Sequence, residues 1–407
     1  MTPSNLSRGA AMRALLSLAV GSFGIGMTEF VMMGLLPDIA RDLLPALWEQ
    51  SREQAIGQTG VLVSMYALGV VIGAPTIAGA VARYPRHRVM LGLAIALTVF
   101  NALAVVLPSF GLVGMARLLA GLPHGAYFGI GALVAADVLG PGRRAQGVAF
   151  ILTGLTIANV VGVPAGTFLG QHWGWRTAFL AVTIVFALAA VCIALFVPAH
   201  PGDPGRTLRS ELGVFRVPQV WLTLGIGAIG FGGFFAVYSY IAPLVTEIAG
   251  APDWAVPVTL VLVGVGMTAG NLAGGHFADR DLRATLHVGL AGLAAALVLL
   301  ALLSWSYVAL VLLAVIIGAL SSLLSPAIQT RLMDVAGDNQ SIAAALNHSA
   351  LNVGNSLGAF LGGAAIALGF GFTSPEWVGA ALALLGLGIT VLAYRAERRA
   401  ATASVPA

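Results

Sequence analysis

Asn159-Val160-Val161-Gly162-Val163-Pro164-Ala165-Gly166 and Asn355-Ser356-Leu357-Gly358-Ala359-Phe360-Leu361-Gly362 decide how this chain is read. Both stretches carry Asn, Gly and Gly at one spacing, and they lie 196 positions apart. A second echo has nearly the same offset: Gly69, Gly73 and Arg83 return 197 positions later as Gly266, Gly270 and Arg280. The chain is therefore one unit of about 200 residues used twice.

Neither copy has the composition of a soluble domain. Of 407 residues, 58% are hydrophobic and 9% charged, and the mean hydropathy is +0.94. Soluble domains carry roughly 25% charged residues, so the solvent of this chain is lipid. The formal net charge is +4, but the 20 basic residues, all arginine, are dispersed among apolar runs and form no stripe for nucleic acid. The single cysteine, Cys192, leaves neither a disulfide nor a zinc site. The sequence shows no Walker-type phosphate loop, metal cluster or nucleophile–base set, which speaks against an enzyme, a cofactor and ATP as energy source.

A bilayer crossing needs about 20 mainly apolar residues. Spans are predicted over 12–36, 57–81, 89–109, 111–136, 145–170 and 175–197, then 220–246, 256–278, 285–304, 306–332, 341–368 and 376–394. The first is expected to stay in the mature chain, being longer than a signal-peptide core. This divides the chain into a six-helix lobe over 1–197, a connector over 198–218 and a second lobe over 219–407. The connector holds four prolines, and its Leu208–Phe215 stretch is a candidate surface helix. Twelve spans put both termini on one side, which takes 16 of the 20 arginines; Arg41, Arg52 and Arg176 fall opposite and Arg117 lies within a span. The positive-inside rule makes the termini cytoplasmic.

Glycines recur every fourth residue in spans 4, 8 and 11, a pattern that lets helices approach closely where lipid gives them no other reason to associate. Ionisable residues inside spans are functional candidates. Glu29 and Arg117 lie eight residues from the same ends of spans 1 and 4, so an ion pair between them is expected in the first lobe, with Glu29 taking up a proton. A purely structural pair is the alternative. His124 and His348 are secondary proton candidates. The cavity is expected to be lined by Tyr66, Tyr127, Phe128, Asn159, Phe231, Phe234, Phe235, Tyr238, Asn271, Gln329, Asn347, Asn352 and Asn355. Asp137, Asp279 and Asp334 lie at span ends near arginines, where they are expected to clamp a gate.

The motifs now resemble a family. Gly26-Met27-Thr28-Glu29-Phe30 followed by Gly34-Leu35-Leu36-Pro37-Asp38 resembles the first-span signature of the drug:proton antiporter branch of the major facilitator superfamily. Gly73-Ala74-Pro75 with Arg83, Arg86 and Arg88 resembles its loop 2–3 motif, echoed by Gly275, Asp279 and Arg280. Arg117 with Gly121 and Gly125 resembles its span 4 motif. Gly154, Gly162, Pro164, Gly166 and Gly170 resemble its span 5 antiporter motif. The chain is most similar in these runs to arabinose/sugar-efflux and chloramphenicol-efflux members. The resemblance implies an all-α fold of two pseudo-symmetric six-helix lobes, the architecture of parallel halves that such transporters illustrate. It also implies a bacterial inner-membrane efflux pump for small organic molecules, drugs or sugars, driven by protons and working as a monomer. A gate of Arg83, Arg86, Asp137, Gly162, Pro164, Gly166, Asp279 and Arg280 goes with it. The loop 2–3 motif departs from the pattern: Ala82 replaces its usual aspartate and Pro85 its last glycine. A uniporter or importer, and a receptor that moves nothing, are the competing readings.

Overall fold

The computed structural model describes residues 7–81, 84–140, 144–199, 216–336 and 340–403. Among the described residues every regular element is helical. Lipid offers no partner to a free N–H or C=O, so a chain this apolar satisfies its backbone within helices.

Eleven helical segments are long and apolar enough to cross a bilayer. Spans 1 to 6 are Arg8–Gly34, Arg52–Ile77, Arg86–Val106, Phe110–Leu139, Ala149–Trp173 and Trp175–Phe196. Span 7 is Pro218–Tyr238, and spans 10 to 12 are Tyr307–Ala336, Leu346–Phe370 and Ser374–Arg399. Between them lies Ala255–Leu303, 49 residues long. At 1.5 Å per residue such a helix is about 73 Å, more than twice the roughly 30 Å of hydrocarbon. It bends at Asp281, which leaves helical geometry (φ −156°, ψ 91°). The Asp281 carboxylate then caps the second arm by accepting a bond of 2.8 Å from the Ala284 N–H. The two arms are spans 8 and 9, giving twelve crossings with both ends of the chain on one face. We call the opposite face distal.

Between spans 1 and 2 the chain stays helical. Leu36–Leu43, Pro45–Gln50 and Arg52–Thr59 form three short helices, the last leading into span 2. Residues 200–215 of the predicted connector, with its candidate helix, lie outside the described residues.

The repeat is visible in the packing. Gly69 and Gly73 of span 2 lie so close to the carbonyls of Leu118 and Leu122 that no Cβ would fit. Gly266, Gly270 and Gly274 of span 8 meet the carbonyls of Val315, Ala319 and Leu323 in the same way. Each carbonyl stands 49 positions after its glycine, so spans 2 and 4 pack as spans 8 and 10 do. Gly162 and Gly166 of span 5 seat Met27 and Val31 of span 1, while Gly358 and Gly362 of span 11 seat the span 7 backbone. Gly174 (φ 90°) and Gly371 (φ 82°) turn matching corners 197 positions apart, in backbone conformations that favour glycine.

The lobes touch from mid-membrane to the distal face. Span 2 meets span 11, where Ser64 and Ser356 each donate a hydroxyl to the other's carbonyl at 3.0 and 3.1 Å. Nearer the distal face, Gly57 lies against Gly363 and Gly60 against the Tyr240 hydroxyl. Span 8 meets span 5 where Gly264 lies against the Asn159 backbone. Gln171 closes the seam with a bond of 3.1 Å to the Asp253 carbonyl. The distal side is shut.

Candidate functional site

Span 1 does not run straight. Its α-helix ends at Phe30 and tightens into a 3-10 turn over Val31–Gly34, leaving the last carbonyls of the α-helix without their usual partners. Arg117 of span 4 takes one. Its two terminal nitrogens donate to the Thr28 carbonyl and the Thr28 hydroxyl, each at 2.8 Å. A cation at a helix C-terminus also meets the negative end of the helix dipole. The Arg117 guanidinium lies 4.1 Å from the Tyr66 ring centre and 5.3 Å from that of Phe179, and the residue is 1% exposed. Aromatic faces suit a weakly hydrated, planar cation.

The expected Glu29–Arg117 ion pair is corrected here: among the described residues no ion pair joins them. Successive helical residues point about 100° apart, because 3.6 make a turn. Thr28 faces Arg117, so Glu29 faces the other lobe. Its Oε1 accepts a bond of 3.0 Å from the Asn355 Nδ2 of span 11. A carboxyl in mid-membrane thus bridges the two lobes at the break in span 1.

Around this bridge the structure gathers part of the predicted set. Tyr66 donates its hydroxyl to His124 at 3.0 Å in the tautomer with Nδ1 unprotonated. His124 packs against Phe128, whose ring stacks on His348 of the opposite lobe with centres 5.5 Å apart. On the other flank Phe231, Phe234, Phe235 and Tyr238 form a continuous aromatic wall, with Phe235 stacked on Phe30. Asn347, Asn352 and Asn159 are buried, each with an amide oxygen that has no hydrogen-bond partner. Other predicted lining residues stand apart. Tyr127 donates to the Leu18 carbonyl at 3.0 Å and so ties span 4 to span 1. Asn271 is exposed on span 8, and Gln329 is half-buried on span 10.

The predicted gate also divides. Arg86 pairs with Asp137, joining spans 3 and 4 of one lobe. Gly162 and Gly166 face span 1 of their own lobe, and Pro164 follows a π-helical stretch over Ala158–Gly162. Asp279, Arg280 and Asp334 are exposed near the face of the termini, and Arg83 lies outside the described residues. Closure at the distal side comes from residues the sequence reading passed over: Gly57, Gly60, Ser64, Ser356, Gly363 and Tyr240. Thr28 was passed over too, and its signal was only its place beside Glu29. At the face of the termini, buried Arg331 pairs with Glu397 at 2.8 Å, also donates to Gln219, and lies over the Tyr394 ring.

The distal edge carries charge. Asp42 accepts from the Trp175 indole at 3.0 Å and pairs with Arg176. Partial burial would raise its carboxyl, but these two hydrogen bonds and the charges of Arg176 and Arg41 outweigh it and hold it below the usual aspartate value. A cavity of about 270 Å³ opens there between the lobes, lined in part by Asp38, Arg41, Trp48, Arg52, Glu247 and Asp253.

The sequence profile of the Major Facilitator Superfamily matches residues 18–336 and 258–407. The chain belongs to that superfamily. It is 36% identical over 383 residues to the inner membrane transport protein YdhP of Escherichia coli (strain K12), covering 94% of this chain and 96% of that protein. It is 32% identical over 374 residues to the chloramphenicol resistance protein of Streptomyces lividans, covering 91% and 93%. The crystal structure of a D-xylose-proton symporter superposes with TM-score 0.75 at 15% identity, covering 93% of this chain and 97% of the other, which shows the fold. This facilitator is a multi-pass membrane transporter.

Proposed function

We propose that this facilitator exports small organic molecules, drugs or sugars, in exchange for protons. The observation that carries the reading is Glu29: a carboxyl in mid-membrane, at a break in its helix, bonded across the junction that must part when access alternates. A charge is costly at that depth and earns its place by function. The similarity to a chloramphenicol resistance protein supports a drug-like cargo. The aromatic wall of span 7 and the unpartnered asparagine amides would receive a moderately apolar molecule with a few polar groups.

By the positive-inside rule the termini face the cytoplasm, so the shut distal face is external and this conformation is closed to the outside. The membrane is the inner membrane of a bacterium, and one chain suffices. Vesicles holding the purified chain and a drug panel test the reading. With an imposed pH difference, wild-type chain accumulates cargo against its gradient. Glu29→Gln loses that accumulation yet still exchanges cargo between equal pools. Cargo movement by the wild type that ignores the pH difference would mean a uniporter.

A further inference from the structure

Asn159 and Asn355 are one position of the repeat, and each reaches the opposite lobe. Asn159 does so through its backbone, against Gly264. Asn355 does so through its side chain, whose Nδ2 donates to Glu29. Asn355 is 1% exposed, and its amide oxygen has no partner. A buried acceptor without a donor is costly. An ionised Glu29 cannot relieve it, because a carboxylate only accepts. A neutral carboxyl can. Facing an amide, it forms two antiparallel bonds: Nδ2–H to one oxygen, and its own O–H to Oδ1. The last torsion of glutamate is broad, so the second oxygen turns toward Oδ1 without either helix moving.

Of the three other charged and titratable groups around Glu29, two are bonded elsewhere. Arg117 of span 4 is engaged by Thr28, Tyr66 of span 2 by His124, and the Tyr238 hydroxyl of span 7 has no partner. Glu29 keeps 7% of its surface accessible.

We infer that Asn355 is the positioning residue that reads the proton on Glu29, holding the lobes shut with two bonds when the carboxyl is neutral and one when it is ionised. This rests on Glu29 being the proton carrier. It fixes the sense of coupling. A proton taken up from the distal side tightens distal closure, and its release to the opposite compartment loosens the latch for the return.

Spin labels test it on Val106→Cys and Trp305→Cys, in a Cys192→Ser chain held in lipid nanodiscs. Both positions are exposed, at the distal ends of opposite lobes and away from the site. On acidification the closed-to-open ratio of the otherwise native chain rises about tenfold, the size expected when one buried bond is gained and one orphan removed. Asn355→Leu cuts this response to about twofold or less, and Glu29→Gln keeps the acid closed-to-open ratio at either pH because its amide also donates to Oδ1. Should Asn355→Leu not fold, Asn355→Ser and the infrared band of the neutral Glu29 carboxyl decide: the band shifts when Asn355 is replaced. A native pH response in Asn355→Leu, or an unmoved band in Asn355→Ser, overturns the inference. If the label response depends on Asn355 while vesicle transport ignores the pH difference, the latch stands and the antiport reading fails. If transport follows the pH difference and Asn355→Leu responds like the native chain, only the latch fails.

Discussion

Where the first lobe buries Arg117, the second buries Ala314. The glycine–carbonyl contacts fix that correspondence, since Leu118 and Val315 occupy the same place in their lobes. Span 1 carries Glu29 at its break; span 7 has no acidic or basic residue and presents Phe231, Phe234, Phe235 and Tyr238 instead. Duplication gave two equivalent scaffolds, and the counterparts of Glu29 and Arg117 in the second are Ile226 and Ala314. The difference teaches that lobe packing and buried charge are separable here. Backbone contacts between glycines and carbonyls hold each lobe, so the positions that once mirrored one another were free to diverge.

The sharpest way to break the comparison is to place charge on the uncharged side. Ala314→Arg would set a cation at a buried position with no Thr28 hydroxyl to meet it, since Gly225 stands 197 positions after Thr28. An uncompensated buried charge costs about 3–5 kcal/mol. The expected outcome is no folded chain by gel filtration in detergent, whereas Ala314→Leu is recovered. Recovery of stable Ala314→Arg would show that the second lobe tolerates what the first was built for.

Removing charge from the first lobe is the next largest effect. Arg117→Leu leaves the Thr28 carbonyl unpaired, which costs about 1–3 kcal/mol of stability. It is expected to abolish gradient-driven efflux in vesicles, while thermal unfolding still shows one cooperative transition. Arg117→Lys restores the charge but not the fork onto Thr28, and it recovers only part of the activity.

Much of this was legible in the sequence, and the limits have physical causes. The repeat, the twelve crossings and the glycine stripes follow from hydropathy and spacing, because lipid leaves an apolar chain few choices. Glu29 and Arg117 stood out for the same reason. Their partners did not. Which neighbour a helical side chain meets depends on its rotation about the axis, and the shift from α-helix to 3-10 turn after Phe30 alters that rotation where it matters. Contacts between lobes were the least visible. Gly57, Gly60 and Gly363 read as ordinary membrane glycines until the fold opposes them. Arg86 and Asp137 illustrate the converse: a cation and an anion at span ends suggested a gate clamp, and the fold pairs them across neighbouring spans of one lobe.

A smaller test concerns the seams. Gly60 of span 2 lies against Tyr240, just past span 7, whose hydroxyl donates to the Ala359 carbonyl of span 11, and a side chain at position 60 would occupy the place of that hydroxyl. Gly60→Val is expected to disfavour distal closure by about 1–3 kcal/mol, the usual cost of overpacking, so a thiol reagent reaches a cysteine introduced at buried position 64, in a Cys192→Ser chain, more readily. Gly129 has open space beside it, and Gly129→Ala serves as the neutral control. Equal labelling of the two variants would mean that closure does not depend on that seam.

The smallest effect is at the matching corners. In the first lobe Asp42 meets Arg176 and Trp175 beside Gly174; 197 positions after Arg176 stands Thr373, beside Ser374, whose hydroxyl donates to the Gly371 carbonyl at 2.7 Å. Among the described residues only the first corner holds an ion pair, so only there does acid break one. Both partners there are partly exposed, which limits the pair to about 0.2–1 kcal/mol. Because the folded state holds the Asp42 carboxyl below its ordinary value, its contribution is complete above the ordinary aspartate range and is lost as pH falls through the lower folded value. Asp42→Asn should therefore lower the unfolding temperature at neutral pH and match the parent chain in strong acid. Changing Thr373 to Ala should give a difference from the parent that does not vary with pH. A pH-independent deficit in Asp42→Asn would assign the corner to packing of Trp175 rather than to charge.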